Sequence, residues 1–267
     1  MNKCQIIAEV SCTHLGDMSL AEKMIVSAKK NGASYIKFQT WNTKNLTNGP
    51  WDHDGRRKIY DQAQLSHNQH ILLKNICDIN DIKFLTSIYS IDDIDFLSSL
   101  CLEIKIPGPE CRNTKLVEAC LEKFNKVFIS TGSTDYNEFK NYLQNKKAVL
   151  MHCVSLYPCP VEKVNIGRVE TIKCLTPYSY GYSGHLEGIF DAIAAISLGC
   201  HYVEKHFTTS KDIPHRDAKF AILPHELLQL SQYAEAFYLM NKNYSLNSLP
   251  EEKEVRDVYS GRWSKKI

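Results

Sequence analysis

Hydrophobic and polar positions follow two alternating periods along this chain. Stretches with a two-residue period cover 6–11, 35–40, 84–89, 103–107, 126–131, 148–154, 179–183 and 201–207. They are rich in β-branched and aromatic residues, the composition of strands. Between them, apolar residues recur at helical spacing over 19–30, 67–79, 91–100, 114–123, 135–144, 165–174, 189–198 and 227–240. Asn31-Gly32 closes the first helix, and Ser133 or Thr134 is the expected N-cap of the fifth. The stretch 41–66 is long and polar, with Asn48-Gly49-Pro50 and Asp52-His53-Asp54-Gly55, and reads as a loop covering a site or a disordered segment. Strand then helix, repeated about eight times, predicts a parallel sheet of the α/β class. Eight units in some 250 residues give a single-domain (β/α)8 TIM barrel over 1–245, with 246–267 as a charged extension. A doubly wound sheet is the alternative. It calls for a glycine-rich first turn, and the turn 11–17 has no glycine triplet.

The strand 201–207 departs from an ordinary strand. Tyr202, Glu204 and His206 share one face, and Val203, Lys205 and Phe207 share the other. A strand that follows the apolar helix 189–198 is central, so these ionisable groups are expected to be buried and to need partners, a metal or a ligand. In a (β/α)8 barrel, active-site residues gather at the carboxyl ends of the strands. The polar residues there are Glu9, Ser11, Lys37, Gln39, Thr86, Ser87, Lys105, Ser130, Thr131, His152, Ser183, His185, Glu204 and His206. Each has a structural reading as a satisfied side chain. Two lysines at one mouth raise each other's cost, and an anion relieves it. With the hydroxyls of Ser87, Ser130 and Ser183 they form a phosphate or carboxylate cradle. His185 and His206 end consecutive strands, so a divalent metal with open positions fits them, and Glu9 and Glu204 are metal neighbours or bases. The pattern points to metal-assisted chemistry on a small anion.

Composition narrows the alternatives. The formal charge is +2, and the basic residues are dispersed apart from Arg56-Arg57-Lys58 and the tail, so no nucleic-acid footprint is expected. No apolar run approaches a membrane span, and the N-terminus has no secretory pattern, so a cytoplasmic chain is expected. The ten cysteines include no Cys-x-x-Cys pair, which argues for buried thiols rather than a disulfide framework or zinc site.

Several segments together resemble the N-acetylneuraminate (sialic acid) synthase family. They are Ile6-Ile7-Ala8-Glu9-Val10, Gly16-Asp17, Gly32-Ala33, Ile36-Lys37-Phe38-Gln39-Thr40, Lys105-Ile106-Pro107 with Glu110, and Ile129-Ser130-Thr131-Gly132. His152-Cys153, Tyr157-Pro158-Cys159-Pro160, Gly181-Tyr182-Ser183-Gly184-His185 and Glu204-Lys205-His206-Phe207-Thr208 complete the match over about residues 4–230. The resemblance implies condensation of phosphoenolpyruvate with an open-chain amino-sugar aldehyde on a (β/α)8 barrel. It implies that His185 and His206 hold Mn2+ or Mg2+. Lys37, Ser87, Lys105, Ser130 and Ser183 would hold phosphoenolpyruvate. Gln39, Ser155, Tyr157 and Asp217 would serve the substrates, and Glu9 would manage a proton. It implies a homodimer as well.

The chain departs from the family pattern at several points. Gly108 stands where the family usually has serine, Gly184 where it has aspartate, Leu186 where it has threonine, and Ser155 where it has asparagine. The chain is expected to lack the family's C-terminal antifreeze-like domain; either Arg216, a residue of the long loop or another protein takes the place of that domain's arginine, or the sugar differs. The other readings are a different metal-dependent lyase or aldolase, and a non-catalytic homologue acting as a binding or assembly subunit.

Overall fold

The computed structural model describes residues 2–264. Eight parallel strands close into a barrel in chain order, and the last pairs back onto the first. They are β1 (Gln5–Glu9), β2 (Tyr35–Thr40), β3 (Lys83–Ile88), β4 (Glu103–Ile106), β5 (Lys126–Ser130), β6 (Ala148–Cys153), β7 (Tyr180–Gly184) and β8 (Tyr202–His206). The helices are α1 (Met18–Lys30), α2 (Arg56–Ala63), α3 (His67–Ile79), α4 (Ile94–Leu100), α5 (Thr114–Lys123), α6 (Tyr136–Phe139), α7 (Arg168–Leu175), α8 (Phe190–Ser197) and α9 (Pro224–Met240). Local chemistry sets their ends. Asp17 caps α1 by accepting from the Ser19 and Leu20 amides, and Gly32 turns the chain out of it at φ +88°.

Strand alternation divides the side chains into two sets. The outward set, such as Ile6, Ala8, Ile36, Phe38, Ile104, Ile129 and Val203, forms a continuous core beneath the helices. The inward set begins with an apolar plug of Ile7, Tyr35, Leu85, Phe128, Val149, Met151 and Tyr202. Phe128 packs edge-on against Tyr35 and Tyr202, with ring centroids 5.9 and 4.9 Å away. Above this plug, towards the carboxyl ends, every inward position becomes polar or small.

Three expectations need correction. The polar stretch 41–66 is structured: it contains α2 and short 3-10 turns at Thr43–Asn45 and Pro50–Asp52. The N-cap of α6 is Asp135, whose amide donates to Glu138 at 2.7 Å, because Ser133 takes a left-handed conformation at φ +59°. Thr86 and His152 lie on the outward face and do not reach the mouth. Thr86 joins Thr40 and His70 in a buried chain of hydrogen bonds, and His152 bonds the Val164 carbonyl at 2.8 Å. Thr131 spends its hydroxyl on the Met151 carbonyl.

Residues 242–264 are exposed, with short turns at Pro250–Glu252 and Val255–Tyr259. Among the described residues no helix is long and apolar enough to cross a membrane. All ten cysteines are free thiols, and nine are buried. Phe128→Ala removes the centre of the inner plug and should cost about 3–5 kcal/mol of unfolding free energy. Guanidinium unfolding monitored by circular dichroism measures that loss; a loss below 1 kcal/mol would mean the plug is dispensable.

Candidate active site

The strand ends open into one cavity of about 540 Å³, and its floor is made of charges. Lys37 Nζ lies 2.8 Å from Glu9 Oε2 and 3.5 Å from Glu204 Oε1. Lys105 Nζ lies 2.9 Å from Glu204 Oε2. Lys37 also donates to Ser87 Oγ at 2.8 Å, Ser183 donates to Glu204 at 3.1 Å, and Gln39 donates to Glu9. All four charged groups are at least 95% buried. The two lysines are therefore not an unbalanced like-charge pair, as the sequence alone suggested. Two carboxylates from β1 and β8 already offset them.

The carboxylates are not equivalent. Burial pushes Glu9 up to about 7, against the pull of Lys37. Burial acts on Glu204 in the same direction, but Lys105 and Lys37 reverse it and hold that carboxyl below its ordinary range. Environments that push two acids apart separate a proton-carrying group from a permanently charged one. Here Glu9 can exchange a proton near neutral pH, and Glu204 stays ionised.

His185 follows β7 and His206 ends β8, and their ring centroids are 5.4 Å apart. His185 Nδ1 lies 2.7 Å from the Val154 carbonyl, which can only accept. The proton is thereby assigned to Nδ1, leaving a lone pair on Nε2. His206 Nδ1 is buried without a hydrogen-bond partner, 3.8 Å from Asp217 Oδ2. Among the described residues no cluster of three or more His, Cys, Asp or Glu forms a cage for a metal. Two imidazoles, one with an orphaned nitrogen and an acid nearby, fit a divalent cation that keeps most positions open.

A second wall faces this floor. Tyr157, after β6, packs over His185 at 3.9 Å between centroids. Asp217 accepts from Ser11 at 2.7 Å and from Arg216 at 3.2 Å. The segment between β2 and α3 contributes Trp41, Trp51, Arg56 and Tyr60, and the turn after β3 contributes Tyr89. Trp41 fits edge-on between Tyr60 and Tyr89 at 6.0 and 5.9 Å. No period in the chain marks these five side chains as belonging to the site. The signal available was two of the chain's three tryptophans inside an otherwise polar stretch.

Glu9, Lys37, Gln39, Ser87, Lys105, Ser130, Tyr157, Ser183, His185, His206 and Asp217 all line the cavity. Ser155 does not. Its Oγ is buried without a partner behind Gly132, 2.4 Å from where a Cβ on that glycine would stand. Gly108 has a related cause: a Cβ there would come within 2.8 Å of the Gly132 carbonyl. The close approach of the loops after β4 and β5 excludes a serine at 108 unless the neighbouring backbone moves.

Comparison with known proteins places the chain in a family. A family model described as the NeuB family matches residues 24–244. The N,N'-diacetyllegionaminic acid synthase of Campylobacter jejuni is 30% identical, over all of this chain and 86% of that protein. The synthase of the same name from Legionella pneumophila is 32% identical, over 86% of this chain and 70% of that protein. Among solved structures, the N-acetylneuraminic acid synthetase of Leptospira borgpetersenii, in complex with citrate, superposes with a TM-score of 0.88 at 26% identity, covering 99% of this chain and 94% of that one. Since the family match runs from within α1 to beyond α9, the chain belongs to the NeuB family.

Proposed function

We propose that this protein condenses phosphoenolpyruvate with an open-chain amino-sugar aldehyde, giving a nonulosonic keto-sugar acid and inorganic phosphate. The observation that carries this reading is the floor of Lys37, Lys105, Ser87, Ser130 and Ser183 on neighbouring strands, beside the paired His185 and His206. The phosphate and carboxylate of phosphoenolpyruvate take over Lys37 and Lys105, and the hydroxyls donate to the same oxygens. His185 and His206 would hold a divalent cation, which when bound would supply Lewis-acid polarisation of the aldehyde. Carbon 3 of phosphoenolpyruvate bonds to the aldehyde carbon, leaving a cationic centre at carbon 2. Glu204, fixed as a carboxylate, offsets that charge. Water adds at carbon 2 and gives one proton to Glu9, which passes it to the alkoxide left on the former aldehyde oxygen. The C–O bond to phosphate then breaks as the carbon 2 hydroxyl becomes the ketone, and that hydroxyl's proton leaves with the phosphate. Once the substrate phosphate claims Lys37, Glu9 loses its counter-ion and becomes a better proton acceptor. Tyr157, Asp217, Gln39 and the aromatic wall around Trp41 hold the sugar.

Phosphoenolpyruvate labelled with 18O in the bridging oxygen tests the bond that breaks. With Mn2+ and N-acetylmannosamine, its 6-phosphate or a diacetamido hexose, the label should appear in phosphate, one phosphate for each aldehyde consumed. Label retained in the sugar acid, or no phosphate with any acceptor, would overturn the reading. Lys105→Ala should weaken phosphoenolpyruvate binding about 10–100-fold, the worth of a charge-assisted contact. Isothermal titration measures this, and unchanged affinity would displace Lys105 from the cradle.

The histidines make a pH prediction. Burial lowers His185 to about 3 and His206 to about 4, so both are neutral in the folded protein above pH 5. In the unfolded chain they take up protons near pH 6.5. The unfolded state therefore binds more protons in between, and these groups lose stability as pH falls from about 6.5 towards 4. Denaturant unfolding at pH 7, 6 and 5 should show this slope, shallower in His185→Asn/His206→Asn. Equal slopes would contradict burial as neutral imidazoles.

A further inference from the structure

A second buried ion pair lies outside the barrel wall, away from the cavity. Lys205 and Asp191 are only 1% and 4% exposed. Lys205 Nζ reaches both Asp191 carboxylate oxygens at 3.0 Å and donates to the Leu186 carbonyl at 2.6 Å. Asp191 also accepts from the Tyr182 hydroxyl at 2.9 Å and from the Ala192 amide at 2.8 Å. The cluster thus ties together β7, the turn after it, α8 and β8. Two of its members are chain neighbours of the paired imidazoles: Leu186 follows His185, and Lys205 precedes His206.

Gly184 explains how the cluster fits. It pairs with Lys205 in the β7–β8 register, so a side chain at 184 would stand beside the Lys205 ammonium. A Cβ built there comes within 2.2 Å of Asp191 Oδ2 and 2.4 Å of the Tyr182 ring. The Asp191 carboxylate, from the following helix, fills the space that a side chain at 184 would use. The acid beside Lys205 enters from α8 and so bridges two more elements than a cross-strand pair does.

We propose that Lys205 and Asp191 are positioning residues for His185 and His206, holding the turn after β7 against β8 so that the two imidazoles keep their spacing. A buried ion pair contributes little net stability compared with an apolar pair of the same size, so stability alone does not account for it. The proposal rests on reading the two histidines as a cation pair.

The test measures Mn2+ affinity by isothermal titration in the intact wild-type chain, in Lys205→Met/Asp191→Leu and in Asp191→Asn, with thermal unfolding of each. The double variant removes both charges, and Asp191→Asn keeps the shape should the double variant not fold. Folded variants should bind Mn2+ about tenfold more weakly or worse, the usual effect of losing support around a ligand. Folded variants with wild-type affinity would show that the pair is only structural. A wild type that binds no Mn2+ would remove the cation reading itself, and the proposal with it.

Discussion

Four charges sit inside the mouth of this barrel with almost no access to water, and their mutual neutralisation is the condition on which the site depends. Removing one member of a buried ion pair costs about 3–5 kcal/mol, because the partner stays charged in a poor solvent. Glu9, Lys37, Glu204 and Lys105 escape that cost as a chain of contacts that alternates in sign, to which Gln39, Ser87 and Ser183 add hydrogen bonds. On the proposed reading, an anionic substrate that takes over Lys37 and Lys105 leaves Glu9 and Glu204 to be offset by a proton or a cation.

This balance requires a rigid frame, and the barrel supplies it in layers. The aromatic plug of Tyr35, Phe128 and Tyr202 closes the interior below the charges. Outside the wall, Lys205 and Asp191 bind β7 to β8 at the height of the two histidines. Ionisable residues on both faces of β8 are thereby used twice, inward for the cavity and outward for the frame.

The mouth is shaped as much by tight packing as by charge. Gly108 and Gly132 let the loops after β4 and β5 approach until no side chain fits between them, and Ser155 is closed off behind. On the other side, the segment from Trp41 to Ala63 folds over the cavity as turns and a helix, held by the Trp41 contacts to Tyr60 and Tyr89. One wall is spare and glycine-lined, and the other is aromatic.

The sequence by itself determined the alternation of strands and helices, the closed parallel barrel and the inward parity of Glu9, Lys37, Lys105, Ser183, Glu204 and His206. Those features are local: a two-residue period fixes which side chains share a face wherever the strand is placed. The tertiary structure alone decided which charges became partners. Lys105 and Glu204 are 99 residues apart, and nothing local pairs them. His152 and Thr86 turn outward because they alternate with the inward Met151 and Ser87, a parity that the two-residue period already implies. Ser155 was lost from the cavity, and Trp41, Arg56 and Tyr89 were gained, for the same reason: loop positions depend on packing against distant elements, and no period in the chain encodes that.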